Sequence, residues 1–84
     1  MTRTAERLFA LVRATLRGRM DDAALFEGTD AALWREIYDL SSAQGVLAQA
    51  WDGIQFLPEA VRPSKALRLQ WAVNVDRIEN TYRR

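Results

Sequence analysis

Apolar positions along this chain recur every three or four residues and never in sustained alternation, which is the period of helices and not of strands. The first periodic stretch covers residues 4–17. Leu8, Phe9, Leu11, Val12 and Leu16 follow one helical stripe, and Arg7, Arg13 and Arg17 fall off its centre. Thr4 can cap its start, Glu6 suits the positive end of the helix dipole, and Gly18 supplies a stop after Arg17. Residues 22–27 have an acidic start, the apolar pair Leu25 and Phe26, and Gly28 beyond them. That pattern predicts a short helical turn that pins the connection to the core.

Thr29 or Asp30 can cap a second long helix over 30–44, with Leu33, Trp34, Ile37, Tyr38 and Leu40 inside and Arg35, Glu36 and Asp39 in water. Gly45 stops it, and Val46 opens a third helix over 46–57 through Leu47, Ala50, Trp51, Ile54 and Leu57. Gly53 inside this helix costs about 1 kcal/mol relative to Ala, so it signals close helix packing or an early end. Pro58 closes the helix, Pro58 to Val61 can form one turn, and Ser64 can cap a last helix over 64–84. Its stripe is Leu67, Trp71, Val75, Ile78 and Tyr82, long for so small a domain. The expected fold is therefore all-α, one domain over residues 1–84. It is a compact bundle or orthogonal array of four main helices with a short helical turn near residues 22–27.

Composition narrows the chemistry. With 84 residues the chain is near the lower end of what folds unaided, so a partner or neighbouring domain could add much stability. Its 49% apolar content and three Trp are those of a globular protein. There is no Cys, which excludes a disulfide, a thiol nucleophile and a cysteine zinc site. There is no His, which removes the commonest general base and metal ligand. No apolar run approaches the roughly 18 residues of a membrane span, and Arg13 and Arg17 interrupt what would be a signal-peptide core. A cytoplasmic location is expected.

The net charge of +1 conceals segregation: residues 1–20 carry +4, residues 21–61 carry −7 and residues 62–84 carry +4. Basic terminal helices beside an acidic middle is the plain reading. Nucleic-acid binding is disfavoured, since neither a large positive charge nor a known module is present. Asp21, Asp22 and Glu27 lack the spacing of a calcium loop, and Glu36 with Asp39 reads as a solvated pair. The four Gly are isolated, so no phosphate-cradling loop is expected. Arg3, Arg7, Arg13 and Arg17 form a basic stripe, but the apolar residues behind it are needed by the bundle, so membrane contact is not expected. Trp34, Trp51 and Trp71, one per long helix, read as core fillers first and interface anchors second.

Several phrases taken together resemble a known family. They are Leu8-Phe9-Ala10-Leu11-Val12-Arg13-Ala14, the run Ala32 to Leu40, Ala43-Gln44-Gly45-Val46, Leu57-Pro58, Leu67-Arg68-Leu69-Gln70-Trp71 and Arg77-Ile78-Glu79-Asn80. Their order and spacing are similar to the N-terminal helical region of the uncharacterised bacterial nucleotidyltransferase family, and the likeness covers nearly all of the chain. The resemblance implies a non-catalytic accessory domain that packs against a downstream catalytic domain. Nucleotide and Mg²⁺ would be held only in that domain, by paired acidic residues. No residue here matches those positions, so no catalytic, cofactor-binding or metal-binding residue carries over.

The last helix reaches Arg83-Arg84 without a stop signal, the pattern expected of an N-terminal piece of a longer protein. The alternative is a free-standing helical interaction module, or a homodimer, with no enzymatic activity. Either way the candidate interface is the final stripe: Trp71, Val75, Ile78 and Tyr82.

Overall fold

The structure, a computed structural model, describes the backbone of residues 2–82 and the side chains of residues 2–79. Among these residues all regular structure is helical: α1 (Arg3–Arg17), α2 (Ala31–Ala43), α3 (Leu47–Ile54) and α4 (Lys65–Tyr82), with 3-10 turns at Ala23–Phe26 and Glu59–Val61. No strand is present among them. The radius of gyration is 12.1 Å, close to the roughly 12 Å expected of a compact chain of this length.

Local residues explain where the helices begin and end. Thr2, rather than Thr4, caps α1: its hydroxyl accepts from the Ala5 N–H at 3.0 Å, and nothing at Thr4 breaks the extra half-turn gained. Asp30 caps α2 by accepting from the Leu33 N–H at 2.8 Å, and Ser64 caps α4 by accepting from Leu67. At the end of α2, Gly45 takes φ 71°. This lets the Val46 N–H reach the Ser41 carbonyl and the Gly45 N–H reach Ser42, a Schellman closure that a β-carbon would strain.

α3 stops at Ile54, three residues short of the expected 57. Gln55, Phe56 and Leu57 instead donate to carbonyls three residues back, tightening the chain as Pro58 approaches. Arg62 then covers this end. Its guanidinium donates to the carbonyls of Leu57 (2.9 Å) and Gln55 (3.0 Å) and pairs with Glu59. These are the orphan acceptors of a helix C-terminus, and a fork of donors suits them. Arg62→Ala is expected to lower the unfolding free energy in urea by about 1–2 kcal/mol, and Arg62→Lys to recover less than half of that.

α1 and α3 run antiparallel. The Thr15 hydroxyl donates to the Gln49 carbonyl (2.6 Å), and further along Gly53 rests on the Leu11 backbone. The sequence offered two reasons for Gly53, close packing and an early helix end, and both apply. α2 and α4 run parallel, joined by Arg35 with Gln70 (3.2 Å) and by Asn74, which donates to the Tyr38 hydroxyl. α3 packs against all three other helices. Leu8, Leu11, Ile37, Ile54, Leu57 and Trp71 fill the centre. Phe26 is buried from the 3-10 turn and stacks on Trp34 at 5.5 Å, so the connection is pinned as expected.

Candidate interaction surfaces

The interface expected on the final stripe is mostly core. Trp71 is 0% exposed, and Val75 is buried too. Trp71 meets Trp34 (6.4 Å) and Tyr38 (5.2 Å) edge-on and lies 6.3 Å from Trp51, while its indole N–H donates to the Leu47 carbonyl at 3.0 Å. A buried Trp needs such a partner for its N–H. The stripe is long because its first half is consumed by α2 and α3, which corrects the expectation for Trp71 and Val75. Ile78 is exposed, where the stripe runs out of neighbours. The Tyr82 side chain lies outside the described residues.

The surface apolar residues are elsewhere. On α1 the expected stripe divides: Leu8 and Leu11 enter the core together with Ala10 and Ala14, whereas Phe9 is 47% and Leu16 80% exposed. The close approach at Gly53 causes this division. It requires α1 to present Leu11 and small alanines to its neighbours, and that rotation turns Phe9 and Leu16 outward, about 100° round from Leu8. Val12 is half-buried between them. Phe9, Val12 and Leu16 therefore stand at i, i+3 and i+7, an apolar edge about 10 Å long. Phe56, just past the end of α3, is exposed as well. Phe9, Val12 and Leu16 were all expected to be used up by the bundle; Val12 does pack against the core, but Phe9 and Leu16 do not.

α4 has a second apolar face as well. Leu69 is 67% and Val73 49% exposed, and Ala66 is exposed one turn earlier. These three again fall at i, i+3 and i+7, on the side of the helix away from Trp71. Reading one stripe per helix hid this face, because Leu67 and Leu69 both look like core residues in sequence. A second pass for apolar residues opposite each main stripe would have found it.

Charged residues mostly frame these surfaces by pairing. Arg13 bridges to Asp22 (3.1 Å), and Arg17 and Arg19 bridge to Asp21, so the acidic pair latches the chain leaving α1. Arg35 pairs with Asp39, and Arg68 with Glu59. The basic ends thus lie against the acidic middle, as the plain reading of the segregated charge has it. These pairs are exposed or half-exposed and add little stability each. Arg13 and Arg17, held by their acidic partners, form a polar rim along the α1 edge. Among the described residues no group of three or more acidic side chains is placed to hold a metal ion, and no helix is long and apolar enough to cross a membrane.

No family model, no curated protein and no solved structure matches this chain.

One polar core residue escaped the sequence reading. Ser41 is fully buried, and its hydroxyl donates to the Tyr38 carbonyl at 2.7 Å. The spacing 34, 37, 38, 41 points to it, but a Ser that bonds within its own helix gives no sign of burial in sequence.

Proposed function

We propose that this chain is a non-catalytic helical docking module whose α1 edge binds another polypeptide. The observation that carries this reading is the edge formed by Phe9, Val12 and Leu16. A fold this small ordinarily uses its large apolar residues, and scattered exposed ones need no explanation. Here they sit in helical register, bordered by paired arginines. An apolar stripe with a polar rim is the form taken by surfaces that receive a helix or a loop.

The resemblance to the N-terminal helical region of the bacterial nucleotidyltransferase family suggests which polypeptide. On that reading the partner is a downstream nucleotidyltransferase domain, and this chain is its accessory domain. Nucleotide and Mg²⁺ belong to the partner. The reading is tested by sequencing the gene beyond Arg84 and expressing the encoded downstream segment separately. Titration calorimetry should show the two parts binding. Phe9→Ser with Leu16→Ser should weaken that binding by about 100-fold or more, since two apolar anchors are worth about 3 kcal/mol or more together, with an unchanged circular dichroism spectrum. A stop codon directly after Arg84, or a double variant that binds like the parent, would sink the accessory reading.

Self-association is the second reading, and the outer face of α4 favours it. It is independent of the α1 edge. The two faces lie on different helices, so one copy could use both.

A further inference from the structure

We infer that the polypeptide received by the α1 edge is an acidic amphipathic helix, and that Asp21 and Asp22 hold the place of its carboxylates until it arrives. This rests on the docking reading above and adds the chemistry of the partner. The strip of Phe9, Val12 and Leu16 is about 10 Å long, or two helical turns. A helix laid along it meets it with its own apolar residues at spacings of three and four.

The two borders of the strip differ. On one side α1 carries Ala5, Leu8 and Thr15, none of them charged. On the other it carries Glu6, Arg13 and Arg17, and Arg19 follows just past the helix end. Glu6 lies about 10 Å from Arg13 along the axis, so the cations gather at the Leu16 end. Three guanidiniums there share two carboxylates: Arg13 pairs with Asp22, while Asp21 serves both Arg17 and Arg19. The pairing inside the chain leaves one positive charge over.

The arginines need not be released before a partner binds. All three side chains are exposed, at 43%, 54% and 73%. A guanidinium has five N–H donors in a fixed fork, so a second carboxylate can join one that already holds an aspartate. Exchange is cheap as well, because ion pairs this open to water contribute little. Asp21 and Asp22 therefore compete with the partner without blocking it. A second copy of this chain has no matching surface, since its other exposed apolar strip, Ala66, Leu69 and Val73, is bordered by Lys65 and Arg77 as well as Asp76. The occupant is a helix of another polypeptide, with carboxylates beside its apolar stripe at the end that meets Leu16.

Two synthetic helical peptides test this on the 84-residue chain. Both carry the same stripe of Leu at spacings of three and four, one flanked by Glu and the other by Lys. In titration calorimetry at low salt the Glu peptide should bind about tenfold more tightly or better, through two or more ion pairs. Its advantage should shrink as salt is added, and its amide shifts should centre on α1. Arg13→Gln with Arg17→Gln should bring the two peptides to about the same affinity. Asp21→Asn with Asp22→Asn should tighten the Glu peptide by about threefold or more, which a merely structural latch would not do. Equal binding of both peptides, lost with Phe9→Ser and Leu16→Ser, would overturn the acidic partner and leave the docking edge standing. α1 amides that stay unmoved up to millimolar Glu peptide would overturn the inference outright. Shifts at Phe9 and Leu16 that grow with chain concentration alone would replace the foreign helix by a second copy.

Discussion

Trp71→Ala is expected to cost about 3–5 kcal/mol of unfolding free energy. That is a large part of the roughly 4–12 kcal/mol available to a domain of this size. Trp71 joins three helices at one point. Its ring meets Trp34 and Tyr38 of α2 and lies near Trp51 of α3, and its N–H donates to the Leu47 carbonyl where α3 begins. Removing the ring empties a volume that α2, α3 and α4 share. The rigid edge-to-face neighbours cannot close over it. A urea titration followed by far-ultraviolet circular dichroism should show a much lower midpoint, or no folded baseline at 25 °C. Trp71→Phe keeps an aromatic body but drops the N–H, and it should lose less than half as much. If Trp71→Ala kept the parent midpoint, the ring would not be the centre of this core.

The second large effect is expected from Gly53→Ala. In an open helix the change would stabilise by about 1 kcal/mol through propensity. Here the added β-carbon would lie 2.7 Å from the Leu11 carbonyl carbon, 2.9 Å from its α-carbon and closer still to its oxygen. All three are backbone atoms, so no rotamer change relieves the overlap. α1 and α3 must separate, which loosens Leu11, Ala50 and Ile54 together. The net result should be a loss of about 1–3 kcal/mol despite the better helix former. Thermal unfolding of Gly53→Ala beside an exposed control, Gln49→Ala, would isolate the effect. A Gly53→Ala protein as stable as its parent would mean that α1 and α3 do not approach this closely.

The two substitutions bear on the function as well as on stability. Gly53 sets the rotation of α1, and that rotation puts Phe9 and Leu16 in water. Trp71 anchors α4 by one face, and so presents Leu69 and Val73 on the other. Each surface offered for docking is thus the reverse side of a tightly specified core contact. Surfaces held by such contacts are already ordered before a partner arrives, which lowers the entropic cost of binding.

Much of the fold was legible from local patterns. The 3–4 spacing, the caps at Asp30 and Ser64, the stop at Gly45 and the buried Phe26 could all be read along the chain, because each depends on residues within one or two turns. The cap of α1 was misplaced by two residues, since Thr2 and Thr4 are equally competent and the choice rests on one half-turn. The candidate interface was less legible. Trp71 and Val75 look the same in sequence whether they face a neighbouring helix of the same chain or another molecule.

What remained for the tertiary structure was the rotation of each helix about its own axis. α1 carries apolar residues around much more than one narrow stripe, and so does α4. Periodicity then predicts a helix without saying which side is inside. Leu8 with Leu11 and Phe9 with Leu16 are equally good pairs by spacing. Only the close seat of Gly53 on Leu11, and the room that Ala10 and Ala14 leave, select the first pair for the core. The helices, the caps at Asp30 and Ser64, the stop at Gly45 and the lack of His and Cys belong to the sequence. Which faces are left for a partner is decided by how closely the backbones can approach.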